Sequence, residues 1–366
     1  MSANSSTKLD SAIKFGAGRY RQERGLMSQL GEEVSRYGKR VFIIAGSNSW
    51  NACGNELLNS IENAGIAAQV ELYDGWCCFE AAEEFAAKAK SFGAQEIIGV
   101  GGGKIVDLGK AIGEEAGLGA ISVPTSASSC APFTCMSVMY TKEGGKKLSW
   151  RFEHEIDACY MDMDVIANCP HRFNAAGIVD AMAKYIEMLN GKPDMYLEDT
   201  PVDAFTAFSI AKYTYKVLKK NALQAIEDNR QHKATKVLND VAFMNVPVTG
   251  LIANTTKSFK QSELAHVIYD GVRTLFTQEV SHAIHGEIVG VGLFCQLYFN
   301  GLQNEENGLR DFMRKMDMPL TFEELGIQST DKNLDAIEEY IVNSRHYNST
   351  DPEDRKRLHA AVHEMA

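Results

Sequence analysis

Short apolar runs and longer amphipathic stretches alternate along the first half of the chain. The apolar runs predict strands at residues 41–45, 68–73, 96–100 and 120–123. Residues 81–91 and 104–115 lie between these runs and carry the apolar spacing of helices. Alternation of this kind predicts a parallel sheet covered by helices.

The pattern changes after this region. Residues 136–141 and 147–151 flank Gly144-Gly145 and predict a hairpin, and residues 158–161 predict one more strand. After about Pro170 the strand pattern stops, and the remainder has helical periodicity with connections predicted at the segments 190–193, 200–201 and 304–308. We therefore predict two domains, residues 1–165 and 166–366, with a ligand-binding cleft between them.

Composition narrows the functional class. The 366 residues are 45% hydrophobic, which is enough for two domains with cores of their own. The net charge of −11 argues against a nucleic-acid or anionic-membrane partner and favours a small-molecule substrate. A polar amino terminus and the lack of a long apolar run predict a cytoplasmic protein. Eight cysteines without a regular framework are expected to be reduced thiols.

A glycine-rich turn, Gly101-Gly102-Gly103-Lys104, follows one predicted strand and opens a helix. Its amides and the helix amino end can bind a pyrophosphate, although such turns are also purely structural. Ile105 stands where a nucleotide triphosphatase needs Ser or Thr, which counts against an ATPase. The loop 124–132, rich in small hydroxyl residues, follows the next strand and can bind a ribose or an amide.

Three potential metal ligands lie farther along the chain. Asp180 falls on the inward face of the predicted helix 177–187, where a lone carboxylate is costly to bury. His266 and His285 fall within residues 263–292, which we predict to be mostly helical with a break near Asp270-Gly271. One carboxylate and two imidazoles leave room on a divalent cation for substrate oxygens, as in catalytic sites. Taken alone, a buried histidine is more often a hydrogen-bonded core residue than a metal ligand, and Asp180 alone is also consistent with a capping or paired carboxylate.

Four motifs taken in register resemble the iron-containing, or group III, alcohol dehydrogenases, and within them the glycerol dehydrogenase branch. They are residues 101–107, 124–132, 170–187, and His266 with His285-Gly286-Glu287. The resemblance implies an α/β plus all-α fold, with a Rossmann-like parallel-sheet domain for NAD or NADP and a helical domain. It also implies one zinc or iron ion in the cleft and a homo-oligomer.

The resemblance assigns roles by position. The implied metal ligands and catalytic residues are Asp180, His266 and His285. The implied cofactor contacts, together with Gly46 and Gly102 of the two turns, are Gly103, Lys104, Asp107, Thr125, Ser128, Thr134, Met136 and Tyr140. Hydride transfer supported by a metal needs no protein nucleophile, which agrees with the lack of a nucleophile-elbow motif.

Cys130 departs from the glycerol dehydrogenase pattern, which has an aspartate there. A neutral thiol cannot hold polyol hydroxyls as a carboxylate does, and it does not repel an acidic substrate. Cys130 and residues 318–325 resemble a hydroxycarboxylate dehydrogenase branch. We therefore expect interconversion of a small 2-hydroxy acid and a 2-oxo acid, with glycerol oxidation to dihydroxyacetone as the alternative. Lys260, beside Lys257, is a candidate for the substrate carboxylate, although solvated lysines are the commoner case.

Two further departures leave questions open. Gly46 replaces an aspartate typical of NAD-specific relatives, so NADP stays possible. Tyr269 follows His266 where the family often has a histidine, so Tyr269, His282 or water could relay the proton. A dehydroquinate synthase-like lyase is disfavoured because those enzymes have a glutamate at the position of Asp180. A catalytically silent binding protein is the remaining alternative.

Overall fold

The computed structural model describes residues 13–256, 264–347 and 349–366. Within these ranges the strands are β1 (Arg19–Glu23), β2 (Arg40–Ala45), β3 (Ala67–Leu72), β4 (Glu96–Gly101), β5 (Gly119–Pro124), β6 (Met136–Tyr140), β7 (Lys146–Arg151) and β8 (Ala158–Asp162). The helices of the first half are α1 (Leu30–Val34), α2 (Ser47–Asn63), α3 (Phe79–Phe92) and α4 (Gly103–Ala116). Those of the second half are α5 (Met163–Asn168), α6 (His171–Leu189), α7 (Val202–Arg230), α8 (Lys236–Phe243), α9 (Thr249–Thr255), α10 (Leu264–Leu275), α11 (His285–Phe299), α12 (Gln303–Arg314), α13 (Asp331–Val342) and α14 (Pro352–His363).

Six strands form one parallel sheet in the order β1-β8-β5-β4-β2-β3. Strand β4 is buried along its whole length, as its continuous apolar run predicts for a strand covered on both faces. The predicted strands are confirmed. Strand β1 was not predicted, because its sequence Arg-Tyr-Arg-Gln-Glu has no apolar run and it lies at the sheet edge beside β8.

The order in which successive strands are added to the sheet reverses at β2. Strand β3 pairs with one side of β2, and β4 pairs with the other. The carboxyl ends of β2 and β4 therefore form the switch point at which ligands bind in open α/β sheets. Gly46 follows β2 there, and its N–H donates to the carbonyl oxygen of Val100 at 3.3 Å. The end of β2 thus lies beside the glycine-rich turn that follows β4.

Strands β6 and β7 form the predicted hairpin as a separate antiparallel pair. Gly144 in the turn has φ 99°, a conformation that favours glycine. The Ser137 hydroxyl donates to the carbonyl oxygen of Asp107 at 2.7 Å. The hairpin is thereby tied to α4, the helix that the glycine-rich turn opens.

The second half is helical, as predicted. Helix α6 packs against α7 and α11, and α11 also packs against α10, α12 and α14. Side chains from these helices form the largest buried apolar cluster of the described residues. Asp162 ends β8, and its side chain accepts the Asp164 N–H at the start of α5, so the two halves join without a linker. The division into domains at residues 165 and 166 stays a prediction.

Two predicted interruptions of the helical half are wrong. Helix α10 runs through Asp270-Gly271, and the chain leaves the helix only after Leu275. Gly271 instead provides room for a close contact, since a Cβ atom there would lie 2.9 Å from the Tyr340 ring. Residues 304–308 lie inside α12, where two glutamates in the first turn favour the helix start. Throughout the part of the chain that the structure describes, we find no helix long and apolar enough to span a bilayer.

Candidate functional site

The glycine-rich turn forms a cradle at the end of β4. Gly102 is the N-cap of α4 and offers no side chain to the first N–H groups of that helix. A Cβ atom on Gly103 would lie 3.4 Å from Ser129 Oγ, and one on Gly102 would lie 3.8 Å from Ser126 Oγ. The space between the turn and the loop after β5 is therefore lined by backbone amides and small hydroxyls. This arrangement fits a dinucleotide pyrophosphate.

The residues predicted for the cofactor lie along the sheet edge, the adjoining loops and β6. These residues are Gly46, Gly102, Gly103, Lys104, Asp107, Thr125, Ser128, Thr134, Met136 and Tyr140. Asp107 is buried, accepts the Val138 N–H at 2.9 Å and pairs with Lys110 at 2.8 Å. Its carboxylate therefore supports the hairpin from behind the turn. Cofactor contact by each of these residues stays a prediction.

Asp180, His266 and His285 come together from three helices. Asp180 lies in the middle of α6, His266 in the first turn of α10, and His285 at the first position of α11. One potential ligand atom from each lies within 4.8 Å of the other two. The imidazole Nε2 atoms of His285 and His266 are 3.3 and 3.5 Å from Asp180 Oδ1. Residues far apart in sequence thus form one compact donor set.

The donor set fits a divalent cation. Asp180 Oδ1 is fully buried and makes no hydrogen bond of acceptable geometry to any residue that the structure describes, although both imidazoles are near. A buried carboxylate oxygen in that condition is costly, and a cation between the three groups would satisfy it. One carboxylate and two imidazoles suit zinc or ferrous iron and leave coordination positions for a substrate.

Two carboxylates hold the histidines in place. Glu187, two turns after Asp180 on α6, accepts from His266 Nδ1 at 2.6 Å and from the His266 N–H at 3.1 Å. Glu287 accepts the Ile284 N–H at 2.8 Å and binds Arg172 through both oxygens, at 2.6 and 2.8 Å. These contacts fix the start of α11, where His285 lies. The Glu187 contact directs His266 Nε2 toward Asp180.

The electrostatics of the cluster favour a charged Asp180. Burial acts to raise the pKa of Asp180, but His285, His266 and Lys184 outweigh it and hold that pKa well below its ordinary range. Burial acts to lower the pKa of His266, whereas Glu187 outweighs burial and raises it to about 9. A metal ion must therefore displace a proton from His266, which makes metal binding favourable at higher pH.

Aromatic rings and a thiol border the cluster. The Tyr269 ring meets the His285 ring edge-on with centroids 4.2 Å apart, and its hydroxyl lies 2.7 Å from that of Tyr140. Burial raises the pKa of Tyr269, so its hydroxyl is neutral. Cys130 is within electrostatic range of Asp180. The chemical role of Tyr269 stays a prediction, and Lys260 lies outside the described residues, as does Lys257.

Sequence reasoning missed three polar residues of this region. Glu187 and Lys184 follow Asp180 at helical spacing, and that spacing could have revealed both. Asp74 follows β3 and accepts from the Ser47 N–H at 2.9 Å and from its hydroxyl at 2.6 Å. A Cβ atom on Gly46 would lie 3.8 Å from the Asp74 carboxylate. Position 46 has no acidic side chain of its own, but a carboxylate from the end of β3 lies next to it. This contact depends on the pairing of β2 with β3, so it could not be predicted from a local sequence motif.

The chain is similar to known proteins in sequence and in fold. The family profile described as iron-containing alcohol dehydrogenase matches residues 17–158. A glycolaldehyde reductase of Halobacterium salinarum is 27% identical over 327 residues, covering 87% of this chain and 87% of the relative. Hydroxycarboxylate dehydrogenase A of Escherichia coli is 27% identical over 302 residues, covering 82% of this chain and 78% of the relative.

A solved structure extends the similarity to the whole fold. The crystal structure of glycerol dehydrogenase from Schizosaccharomyces pombe superposes with a TM-score of 0.81 at 26% identity, covering 97% of this chain and 90% of that one. The predicted fold class, a Rossmann-like parallel-sheet part followed by a helical part, is thereby confirmed. With the motifs in register, the chain resembles the iron-containing alcohol dehydrogenases, and it is an oxidoreductase that acts on alcohol groups.

Proposed function

We propose that this metal-dependent alcohol dehydrogenase interconverts a small 2-hydroxy acid and the corresponding 2-oxo acid by hydride transfer to and from NAD(H). Use of NAD(H) and of a metal ion is supported at the level of the family. The acidic substrate is our own inference. The observation that carries it is Cys130, a neutral thiol on which the Asp180 charge acts.

The proposed metal ligands are Asp180, His266 and His285. These residues would hold a divalent ion, which would supply stabilisation of negative charge on a substrate oxygen, and the cradle would hold the dinucleotide that supplies the hydride chemistry. Glu187 keeps the His266 Nδ1 hydrogen engaged and so directs Nε2 into the site. The pair Arg172 and Glu287 holds the start of α11 and with it His285. These positioning contacts reduce the reorganisation needed during the reaction.

The proposed dinucleotide site is the cradle at the switch point. The amides of Gly102 and Gly103 take the pyrophosphate, and Asp74 takes a ribose hydroxyl near the end of β2. Two hydrogen bonds from Ser47 lower the pKa of Asp74, so its carboxylate is charged. A fixed negative charge there repels a 2′-phosphate, which supports NAD(H) over NADP(H).

Cys130 supports an acidic substrate for an electrostatic reason. Burial, aided by the nearby Asp180 charge, raises the pKa of Cys130 to about 12, so the thiol is neutral at physiological pH. A carboxylate at that position would repel a substrate carboxylate by on the order of a few kcal/mol in a partly desolvated site. The thiol also lacks the acceptor oxygens that polyol hydroxyls need.

Glycerol oxidation is the second candidate. It is favoured by the fold similarity to a glycerol dehydrogenase along nearly the whole chain. The two candidates differ in substrate charge alone and use the same metal ligands, cofactor cradle and hydride transfer.

The test is NADH oxidation by the metal-loaded protein with 2-oxobutanoate, dihydroxyacetone and glycolaldehyde, each with and without a chelator. We expect chelator-sensitive turnover with the largest kcat/KM for the 2-oxo acid. A larger kcat/KM for dihydroxyacetone would favour the polyol candidate instead.

Cys130→Asp tests the observation itself, with Cys130→Ser as the neutral control. We expect the aspartate variant to lose kcat/KM for 2-oxobutanoate by at least about tenfold relative to dihydroxyacetone, as roughly 1.4 kcal/mol of repulsion predicts. The serine variant should keep the substrate ratio of the wild type. An unchanged ratio in Cys130→Asp would show that Cys130 does not determine the preference between the acid and the polyol.

A further inference from the structure

Lys184 lies one helical turn after Asp180 on α6, on the face that meets α10 and α11. Residues four apart on a helix share a face, so the Lys184 stem lies alongside the Asp180 carboxylate. Its Nζ atom is 3.1 Å from His266 Nε2, the imidazole atom that points toward Asp180. The side chain is half-buried, and its positive charge acts on Asp180, Glu187, His285 and Cys130. An ammonium group therefore lies inside the candidate site.

We propose that Lys184 binds the carboxylate of the substrate and thereby selects acids over polyols. This inference rests on the proposed function and names the residue that recognises the acid. A metal ion bound to His266 Nε2 would replace the Lys184 ammonium as the partner of that nitrogen. The ammonium is then carried on a flexible four-carbon stem beside the substrate, within reach of a carboxylate.

The charges around the site favour this assignment over one for a neutral polyol. Asp180 and Glu187 are both buried, and a divalent ion offsets much of their charge. Lys184 adds one further positive charge, and Cys130 adds none. The ion and the ammonium together can hold a 2-oxo acid at two points, by the carbonyl oxygen and by the carboxylate. A polyol offers no anion to the ammonium, so it gains little from Lys184.

The experiment measures the binding of oxamate, an unreactive carboxylate probe, to protein loaded with zinc and NADH. The variants are Lys184→Met, Lys184→Gln and Lys184→Arg. Lys220→Met is the matched control, because Lys220 is an exposed lysine on α7, a helix that contributes no ligand to the cluster. Zinc content and NADH binding are measured for each variant, which identifies any protein whose site is disturbed. The ratio of kcat/KM for 2-oxobutanoate to that for hydroxyacetone is the second readout.

We expect the two neutral variants at Lys184 to weaken oxamate binding by roughly 10-fold to 100-fold, the usual strength of a charge-assisted hydrogen bond. The kcat/KM ratio should fall by a similar factor, whereas Lys184→Arg should keep part of both. If Lys184→Met disturbs zinc binding, the result for Lys184→Gln is used instead, because glutamine keeps a polar side chain without the charge. Lys220→Met should match the wild type.

The outcomes separate this inference from the proposed function. If the wild type reduces 2-oxobutanoate and the neutral variants keep its substrate ratio and oxamate affinity, Lys184 is not the recognition residue although the function stands. If the wild type prefers dihydroxyacetone yet binds oxamate only when Lys184 is present, the proposed substrate is wrong and Lys184 is still an anion-binding residue. A wild type that does not bind oxamate overturns the inference.

Discussion

At the scale of single residues, Glu187 holds His266 in the orientation that a metal ligand needs. Both Glu187 oxygens are used, one by the His266 ring and one by its backbone N–H. Glu187→Gln removes the charge and should weaken metal binding by about 10-fold to 100-fold, as loss of such partners does in other metal sites. The measurement is zinc affinity by chelator competition.

Glu338→Gln is the matched control for this prediction. Glu338 is also a buried glutamate that binds an imidazole, with its Oε2 atom 2.7 Å from His359 Nδ1, but it lies on α13 and its partner lies on α14. Its substitution should leave zinc affinity at the candidate site unchanged. Equal weakening in both variants would mean that Glu187 acts through general stability and does not tune a ligand.

A second prediction at this scale concerns Glu96, which opens β4 away from the candidate site. Burial, together with the charge of Asp157, raises the pKa of Glu96 to about 9. The absence of a side chain on Gly119 allows this pairing, since a Cβ atom there would overlap Asp157 Oδ2 at 1.7 Å. The folded protein therefore keeps a proton on Glu96 that the unfolded chain releases near its ordinary pKa of about 4.5.

The sign of the effect follows from this difference. Between about pH 4.5 and pH 9 the folded state binds more protons, so stability falls as pH rises, by up to about 1.4 kcal/mol per pH unit. Glu96→Gln should remove this slope and raise the urea midpoint most at pH 8 to 9. The exposed Glu62→Gln variant serves as control, and identical pH dependence in Glu96→Gln and the wild type would contradict the prediction.

At the scale of elements, we expect the ends of β2, β3 and β4 to decide which dinucleotide binds. Asp74 follows β3 and is bound to Ser47 at the start of α2. Asp74→Asn keeps an acceptor for the Ser47 N–H but removes the charge that repels a 2′-phosphate. We expect kcat/KM for NADPH relative to NADH to rise about tenfold, which corresponds to roughly 1.4 kcal/mol.

Glu71→Gln is the control for Asp74, because Glu71 is an acidic residue of the strand that Asp74 follows. Glu71 lies on β3, and its carboxylate pairs with Lys88 of α3 at 3.1 Å. This variant should leave the cofactor ratio unchanged. If Asp74→Asn also leaves it unchanged, the carboxylate serves only to cap α2.

The elements also show what the sequence could predict. Hydrophobic runs were sufficient for β2, β4 and β5, because buried parallel strands are apolar throughout, and for the hairpin around Gly144. They were insufficient for β1, whose polar residues form an edge strand through pairing with the distant β8. They also misplaced the end of α10, because Gly271 serves helix packing there and does not end the helix.

The candidate site shows the same division between local and distant information. Asp180, His266 and His285 were named from their motifs, and the structure brings them together from α6, α10 and α11. Asp74 could not be named in this way, since its proximity to Gly46 depends on the pairing of β2 with β3. Motifs therefore identify the residues of a site, whereas sheet order and helix packing determine their neighbours.

At the scale of the whole molecule, the candidate dinucleotide site and the candidate metal site are built from different parts of the fold. The dinucleotide cradle belongs to the parallel sheet and α4, and the metal cluster belongs to helices of the second half. Loss of a metal ligand should therefore leave the cradle intact. We expect Asp180→Ala and His266→Ala to lower kcat by at least about 1000-fold while changing the Kd of NADH by less than about threefold, since turnover needs both sites and NADH binding needs one.

The measurements for this last prediction are NADH fluorescence titration, zinc content and turnover on the same protein samples. His359→Ala is the control, because this histidine is more than half exposed on α14 and binds Glu338 of α13. It should keep both kcat and NADH affinity. If His266→Ala weakens NADH binding as strongly as it lowers kcat, the cluster supports the cradle directly and the two halves act as one site. Near wild-type turnover in either ligand variant would exclude the metal role of Asp180 and His266 altogether, because no other described residue offers a donor set at the same place.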